Sequence, residues 1–259
     1  MNKKIHRTLI AFAAALLMAI PVIFTACNDD DSDDYTSAKV YNALVTVVSG
    51  DKANFLVVND SLTVKPADVL GAIFKKPEVR ALARFAVPGS NCGTTGGKDD
   101  AAEGVGKIAN NQEVYIVELD TIRTKPSTPW DETLDKQLGG APIDINKTWM
   151  TVAEDGYLTL HYTIMIGTKG GTHSLHLLKG RDPKKPYELE LRHTDRGDYG
   201  TRYTEGLVAF DIKDILPVGT DKKFNLTVRY KGFDGKEKTL DIPCCGLGKR
   251  HQPVDGAKD

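Results

Sequence analysis

The clearest signal along the chain is a period of two. In "YLTLHYTIMI", residues 157–166, the apolar side chains of Leu158, Leu160, Tyr162, Ile164 and Ile166 fall on one side. This alternation predicts a half-buried strand. "THSLHLL" and "YELELRH" follow. "GLVAFDI" then puts Val208, Phe210 and Ile212 in phase, and "KFNLTVRY" aligns Phe224, Leu226, Val228 and Tyr230. "KTLDIP" closes the series, and Asp234-Gly235 signals the hairpin before it. About seven strands at near-regular spacing predict an antiparallel β-sandwich over 147–245.

The first half is less regular. "SAKVYNALVTVVS", "NFLVVND", "SLTV" and "QEVYIVELDTIRTK" read as strands, with a turn at Asn59-Asp60. "PEVRALARFA", residues 77–86, predicts a short helix: a proline opens it, and Val79, Leu82 and Ala83 share a side at a 3.6 period. Val87 to Lys107 reads as a long Gly-rich loop. About five strands and one helix suggest a small closed or partly open barrel over 38–146. Its last part, 126–146, carries three prolines and Gly139-Gly140 and reads as a linker, with the domain boundary near Asn146. The expected fold is therefore all-β, a barrel followed by a sandwich, and 246–259 reads as a flexible C-terminal tail.

The N-terminus supplies an address. Lys3, Lys4 and Arg7 precede the uncharged apolar run Leu9 to Phe24, which is too short and wrongly flanked for a membrane span. "FTAC" at its end resembles a bacterial lipobox. That resemblance implies a signal peptide over 1–26, cleavage between Ala26 and Cys27, and a lipid such as palmitate on Cys27 as the membrane attachment. Phe24 departs from the leucine usual in that motif. The acidic run "NDDDSDD" follows, so 27–37 reads as a solvated, flexible tether. It also resembles the surface-export signal of Bacteroidetes lipoproteins. The expected location is the outer membrane, facing either the cell surface or the periplasm.

Charge and cysteine use narrow the chemistry. The chain has 34 Lys+Arg; losing Lys3, Lys4 and Arg7 leaves 31 against 35 Asp+Glu, a net charge of −4. That balance argues against a nucleic-acid partner, which wants a clustered basic face. Besides Cys27 there are Cys92, Cys244 and Cys245, so one disulfide can join Cys92 to either of the adjacent pair, leaving an odd thiol.

Catalytic motifs are missing. There is no G-x-S-x-G and no H-E-x-x-H. Gly97-Lys98 is followed by Asp99 rather than a hydroxyl residue, so the Gly-rich loop does not make a P-loop. His161, His173, His176 and His193 cluster in the second half, but His173 and His176, three apart on a strand, fall on opposite faces. Neither a metal nor another cofactor is expected. In "YELELRH" His193 shares the apolar face with Leu189 and Leu191, and reads as a satisfied, semi-buried side chain. Glu188, Glu190 and Arg192 read as the wet face, and Gly197 in "DRGD" as the turn residue. Tyr199, Tyr203 and Trp130, with Tyr187, are the aromatic candidates for a glycan-binding surface.

Specific residues also resemble a family. "TWMTVAEDGYLTLHYTIMIG", "THSLHLL" and "YELELRHTDRGDYGTRYTEGLVAFDI" look like the C-terminal domain of NigD-like lipoproteins. The shared features are Trp149, Gly156-Tyr157-Leu158, His173, and Glu190-Leu191-Arg192-His193 with Gly197-Asp198. "VYIVELDTIRTK" is similar to the family's OB-like N-terminal domain, whereas the Gly-rich insertion from Cys92 to Gly106 stands outside that pattern. The resemblance implies an OB-like barrel and a β-sandwich on an envelope lipoprotein. It brings no catalytic residues. The reading is a non-enzymatic module for a protein or glycan partner, with bacteriocin immunity as the alternative and a glycan hydrolase behind both.

Overall fold

The computed structural model describes residues 40–49, 54–59, 62–67, 78–88, 108–168, 170–220 and 222–248. Ala26, Cys27, the tether, Cys92 and nearly all of the Gly-rich loop lie outside them.

Five strands close the barrel: β1 (Val40–Ser49), β2 (Asn54–Val57), β3 (Thr63–Pro66), β4 (Glu78–Ala86) and β5 (Gln112–Thr121), in the order β1-β2-β3-β5-β4. Val45, Val47, Leu56, Val64, Phe85 and Val114 fill it. The turn after β2 is held by Asn59, whose Oδ1 accepts the Leu62 amide at 2.9 Å.

The helix expected over 77–86 is a strand. β4 pairs with β1 on one side and β5 on the other, and it alternates: Ala81, Ala83 and Phe85 point into the barrel, Arg80 and Leu82 away from it. In so short a run Val79, Leu82 and Ala83 fit a 3.6 period, while Ala81, Ala83 and Phe85 fit a period of two. Barrel closure decided, because without β4 both neighbours would keep an open edge. A bulge between Arg84 and Phe85 bends the strand.

The segment 126–146 is no linker. β6 (Thr124–Pro126) pairs in parallel with β13 (Arg202–Asp211), and β7 (Thr128–Pro129) with β11 (Ser174–Lys179). The helix α1 (Glu132–Leu138) starts on Asp131, whose carboxylate caps the Leu134 amide at 2.9 Å. β8 (Asp144–Ile145) then pairs with β10 (Tyr157–Ile166). The prolines fit because both short strands lie at sheet edges, where a missing N–H leaves no ladder partner unpaired. The sandwich thus begins near Thr124, not Asn146.

One of its sheets runs β6-β13-β10-β8, with β9 (Val152–Glu154) also on β10 (Tyr157–Ile166), and β13 spanning Arg202–Asp211. The other runs β15-β14-β12-β11-β7, from β11 (Ser174–Lys179), β12 (Glu188–Thr194), β14 (Lys223–Lys231) and β15 (Glu237–Cys245). Leu158, Leu160, Leu177, Leu189, Phe210 and Leu226 are fully buried between the sheets. Leu247, expected in a flexible tail, belongs to the same core: its amide donates to Pro217 O at 2.8 Å and its side chain is buried. An isobutyl group beside Leu216 gains more by burial than by solvation.

The outer face of β1 and β4 packs on the outer face of the first sandwich sheet. Leu44, Ile122 and Ala209 are buried there, with Leu82, Val152 and Leu207 against them. Arg80 is wholly buried in this seam. Its guanidinium donates to Thr159 Oγ1 at 3.3 Å, to Thr46 Oγ1 at 3.2 Å and to Glu154, so its charge is paired as a buried charge must be. Beside it Glu78 Oε2 accepts from Tyr157 OH at 2.9 Å and Lys213 Nζ at 2.8 Å. Burial pushes the Tyr157 phenol up to about 12, against an opposing pull from Lys213.

Candidate functional site

The end of β12 carries the densest polar chemistry in the core. His193 is 2% exposed on the apolar face, as its phase requires. Its Nδ1 lies 2.9 Å from Pro142 O, a carbonyl that can only accept, so Nδ1 carries the proton. The Ala141 amide in turn donates to His193 O at 3.0 Å. Burial lowers the His193 pKa, outweighing these carbonyls, and the neighbouring His173 lowers it further. The ring is therefore neutral, and its bare Nε2 accepts from His173 Nδ1 at 2.9 Å.

The same logic continues to Asp198. With Nδ1–H of His173 committed to His193, its Nε2 faces Asp198 Oδ2 at 3.4 Å. The result is a chain from Pro142 O through His193 and His173 to Asp198, with Asp198 itself buried.

Local sequence builds the lid of this chain. Asp195, Arg196 and Gly197 turn the backbone, with φ of 49° at Arg196 and 77° at Gly197, and the Asp198 amide returns to Asp195 O at 2.9 Å. The Gly167 amide donates to Asp198 O at 2.8 Å. A Cβ on Gly171 would come 2.6 Å from the Asp198 Cβ, so only glycine lets the backbone at 171 lie this close.

His173 also lines a cavity of about 60 Å3 at one edge of the sandwich. There the crossing β6–β7 strand switches from the first sheet to the second. Arg123, just before β6, Lys125 of β6 and Tyr162 of β10 line the cavity. Lys125 Nζ donates to Leu175 O, bridging the two sheets. Burial and the Arg123 charge both lower the Lys125 pKa. Burial and then Lys125 lower that of His176, which shares a hydrogen bond with Ser174 Oγ at 3.1 Å.

The other histidines do not join. His176 is on the opposite face of β11 from Leu175 and Leu177, and His161 sits on the outer face of β10 between Thr148 Oγ1 and Glu205 Oε2, both 3.1 Å away. Among the described residues no group of three His, Cys, Asp or Glu side chains is arranged to hold a metal ion.

The expected wet face of β12 is not wet. Glu190 is 1% exposed. Arg181 Nη1 donates to it at 2.8 Å, and Arg192 and Arg229 stand at 3.0 and 3.3 Å. The last two approach off the N–H direction, so Glu190 Oε2 and Arg229 Nε gain charge attraction without an aligned hydrogen bond. Arg192 also forks onto Asp135 of α1 at 2.6 and 3.4 Å, which pins the helix over the sheet.

The aromatic candidates separate. Tyr199 and Tyr203 are 58% and 59% exposed, and Tyr203 meets the Phe233 ring edge-on at 5.5 Å. Tyr187 instead stacks on Phe224 at 4.2 Å. Trp130 lies at the far end of β11, where its amide donates to Lys179 O, and Arg181 covers its ring. Phe233, on the β14–β15 hairpin, was not legible as a partner for Tyr203, because the two meet only through the packing of separate sheets. Cys244 is buried in the sandwich core and its Sγ–H donates to Cys245 O at 3.2 Å.

Residues 126–244 match the family model of the NigD-like C-terminal beta sandwich domain. The sandwich is a NigD-like domain. The match begins at Pro126, in β6, which agrees with a sandwich that includes the supposed linker. A comparison with curated protein sequences finds no match. Among solved structures, the chain is similar to a protein described as toxin-related from Parabacteroides distasonis, at 23% identity and a TM-score of 0.60 over 79% of this chain and 93% of that one. It is similar to a protein of unknown function from Bacteroides vulgatus, at 16% identity and a TM-score of 0.58 over 84% and 93%. It is also similar to a NigD-like immunity protein from Bacteroides caccae, at 17% identity and a TM-score of 0.50 over 80% and 94%. At these identities the likeness shows the fold alone.

Proposed function

We propose that the chain is a non-enzymatic binding module of the cell envelope, anchored in the outer membrane through a lipid on Cys27, with the end of the NigD-like sandwich as its contact surface. The observation that carries this reading is the exposed aromatic group. Tyr199 and Tyr203 leave more than half their surface in water, and Phe233 props Tyr203 from below. Such rings offer flat apolar faces with a hydroxyl at the rim, which suits a sugar face or a protein partner. The buried chain from His193 to Asp198 supports the loop that bears Tyr199.

Binding of the full chain to a glycan array and to envelope extract tests this, with Tyr203→Ala alongside. Retention of a saturable ligand that the variant loses supports the module. No retained ligand on either counts against it.

A second reading, bacteriocin immunity, is favoured by the likeness to the NigD-like immunity protein from Bacteroides caccae. Deleting the gene and challenging the cells with the toxin tests it; unchanged sensitivity removes it.

A further inference from the structure

We propose that the cavity at the β6–β11 edge of the sandwich is a binding site for a small carboxylate, held by Arg123 and Lys125. The site is separate from the Tyr199–Tyr203 surface.

Two cations meet at the mouth. Arg123 and Lys125 are two residues apart on one extended segment, so both side chains project to the same side. Burial first, and then the Arg123 charge, lowers the Lys125 pKa. Among the described residues, neither has a carboxylate within ion-pair distance. Lys125 gives one of its three donors to Leu175 O and keeps two, and a guanidinium brings five in a planar fork. An anion seated between them relieves like-charge repulsion and gains charge-assisted bonds at once. The native fold holds both cations there before any ligand arrives, so little ordering is needed on binding.

The rest of the cavity selects the anion. Ile164, Leu207 and Val208 from the first sheet and Leu175 from the second give the wall its apolar part, beside the polar His173 and Ser174. A tetrahedral phosphate has polar oxygens on every side and would bury some against this apolar part unpaired, which is costly. A carboxylate has its two oxygens at one end. Those can face Arg123 and Lys125 while a short carbon stem meets the apolar part. The volume, about 60 Å3, holds several water-sized positions, enough for a carboxylate and a stem of one or two carbons. The Tyr162 hydroxyl, which burial keeps protonated, adds a neutral donor to the wall.

The carboxylate can come from a free short-chain acid or from the C-terminus of another chain. Calorimetric titration of the full chain with sodium propionate, with an alanine tripeptide, and with the amide of that tripeptide separates the two sources. Sodium phosphate at matched ionic strength serves as the competing anion. The exposed Arg123→Gln is the main variant, because its loss leaves the core and the Lys125 bridge in place. Lys125→Met is the second, with a thermal melt to verify its fold. Saturable propionate binding that Arg123→Gln weakens about tenfold or more supports a free acid as ligand. Binding of the tripeptide but of neither propionate nor the amide supports a chain terminus. The proposal is overturned if no carboxylate binds saturably, if phosphate binds more tightly, or if Arg123→Gln binds as well as the native chain.

Discussion

Arg80 of the barrel donates to Thr159 of the sandwich at 3.3 Å across a seam from which water is excluded. The bond joins residues 79 positions apart, and with Glu154 and Thr46 it satisfies a guanidinium that has no exposed surface. Truncating Arg80 leaves those acceptors without their donor and opens a void at the seam. Arg80→Ala is expected to cost about 3–5 kcal/mol, the range for breaking a buried ion pair. Urea denaturation followed by circular dichroism measures it, and a midpoint within error of the native value would remove Arg80 from any structural role.

His193 predicts an acid-sensitive fold. Burial lowers its pKa below the ordinary 6.5, with His173 adding to the shift and the carbonyls of Pro142 and Ala141 and the Asp195 charge opposing it. As pH falls below 6.5 the unfolded chain takes up a proton that the folded chain resists, so stability is complete above that pH and declines beneath it. One such proton changes stability by up to about 1.4 kcal/mol per pH unit. Chemical denaturation at a series of pH values from 8 to 5 should show this decline. His193→Asn, which keeps a donor for Pro142 O, should flatten it in part; His176 is shifted the same way and supplies a remainder. A variant with the native slope would show that His193 does not govern it.

Glu190 stands under three arginines, and its removal strands their charges in a partly buried layer. Glu190→Gln keeps the shape and deletes the charge. We expect a loss of about 3–5 kcal/mol by denaturant titration. If the variant were as stable as the native chain, the three arginines would be held by Asp135, Glu188 and Glu237 alone.

Gly200 packs its Cα against the end of β10. A Cβ there would collide with the Ile166 carbonyl oxygen, a backbone atom fixed in the β10–β13 ladder. Gly200→Ala should destabilise by about 1–3 kcal/mol. Gly248, where an added Cβ meets nothing within 4 Å, is the control, and Gly248→Ala should stay within about 0.5 kcal/mol. Equal melting temperatures for the two variants would contradict the close approach.

Part of the site was legible from residue order. The phase of "YELELRH" placed His193 in the core, and "DRGD" marked the turn that Arg196 and Gly197 make with positive φ. His173 was harder, because it precedes β11 and follows no strand phase; its bonds to His193 and Asp198 span 20 and 25 residues. The charged face of β12 misled for a related reason. Alternation tells which side of a sheet a residue faces, but not that α1 and two more arginines cover that side. Likewise nothing in "RTKPSTP" shows that Arg123 and Lys125 meet His173 across a sheet edge.

By itself, the sequence determined the all-β character and the inward set of nearly every sandwich strand, because each depends on neighbours in the chain. A period of two is a local fact. The strand state of 78–86, the sandwich membership of 124–145 and of Leu247, the buried Arg80 seam and the His193–His173–Asp198 chain were decided only in three dimensions. Each depends on an open edge, a void or a buried charge created by residues far away in the chain. Local preference there is weak, and closing the barrel, filling the core and pairing the buried charges outweigh it.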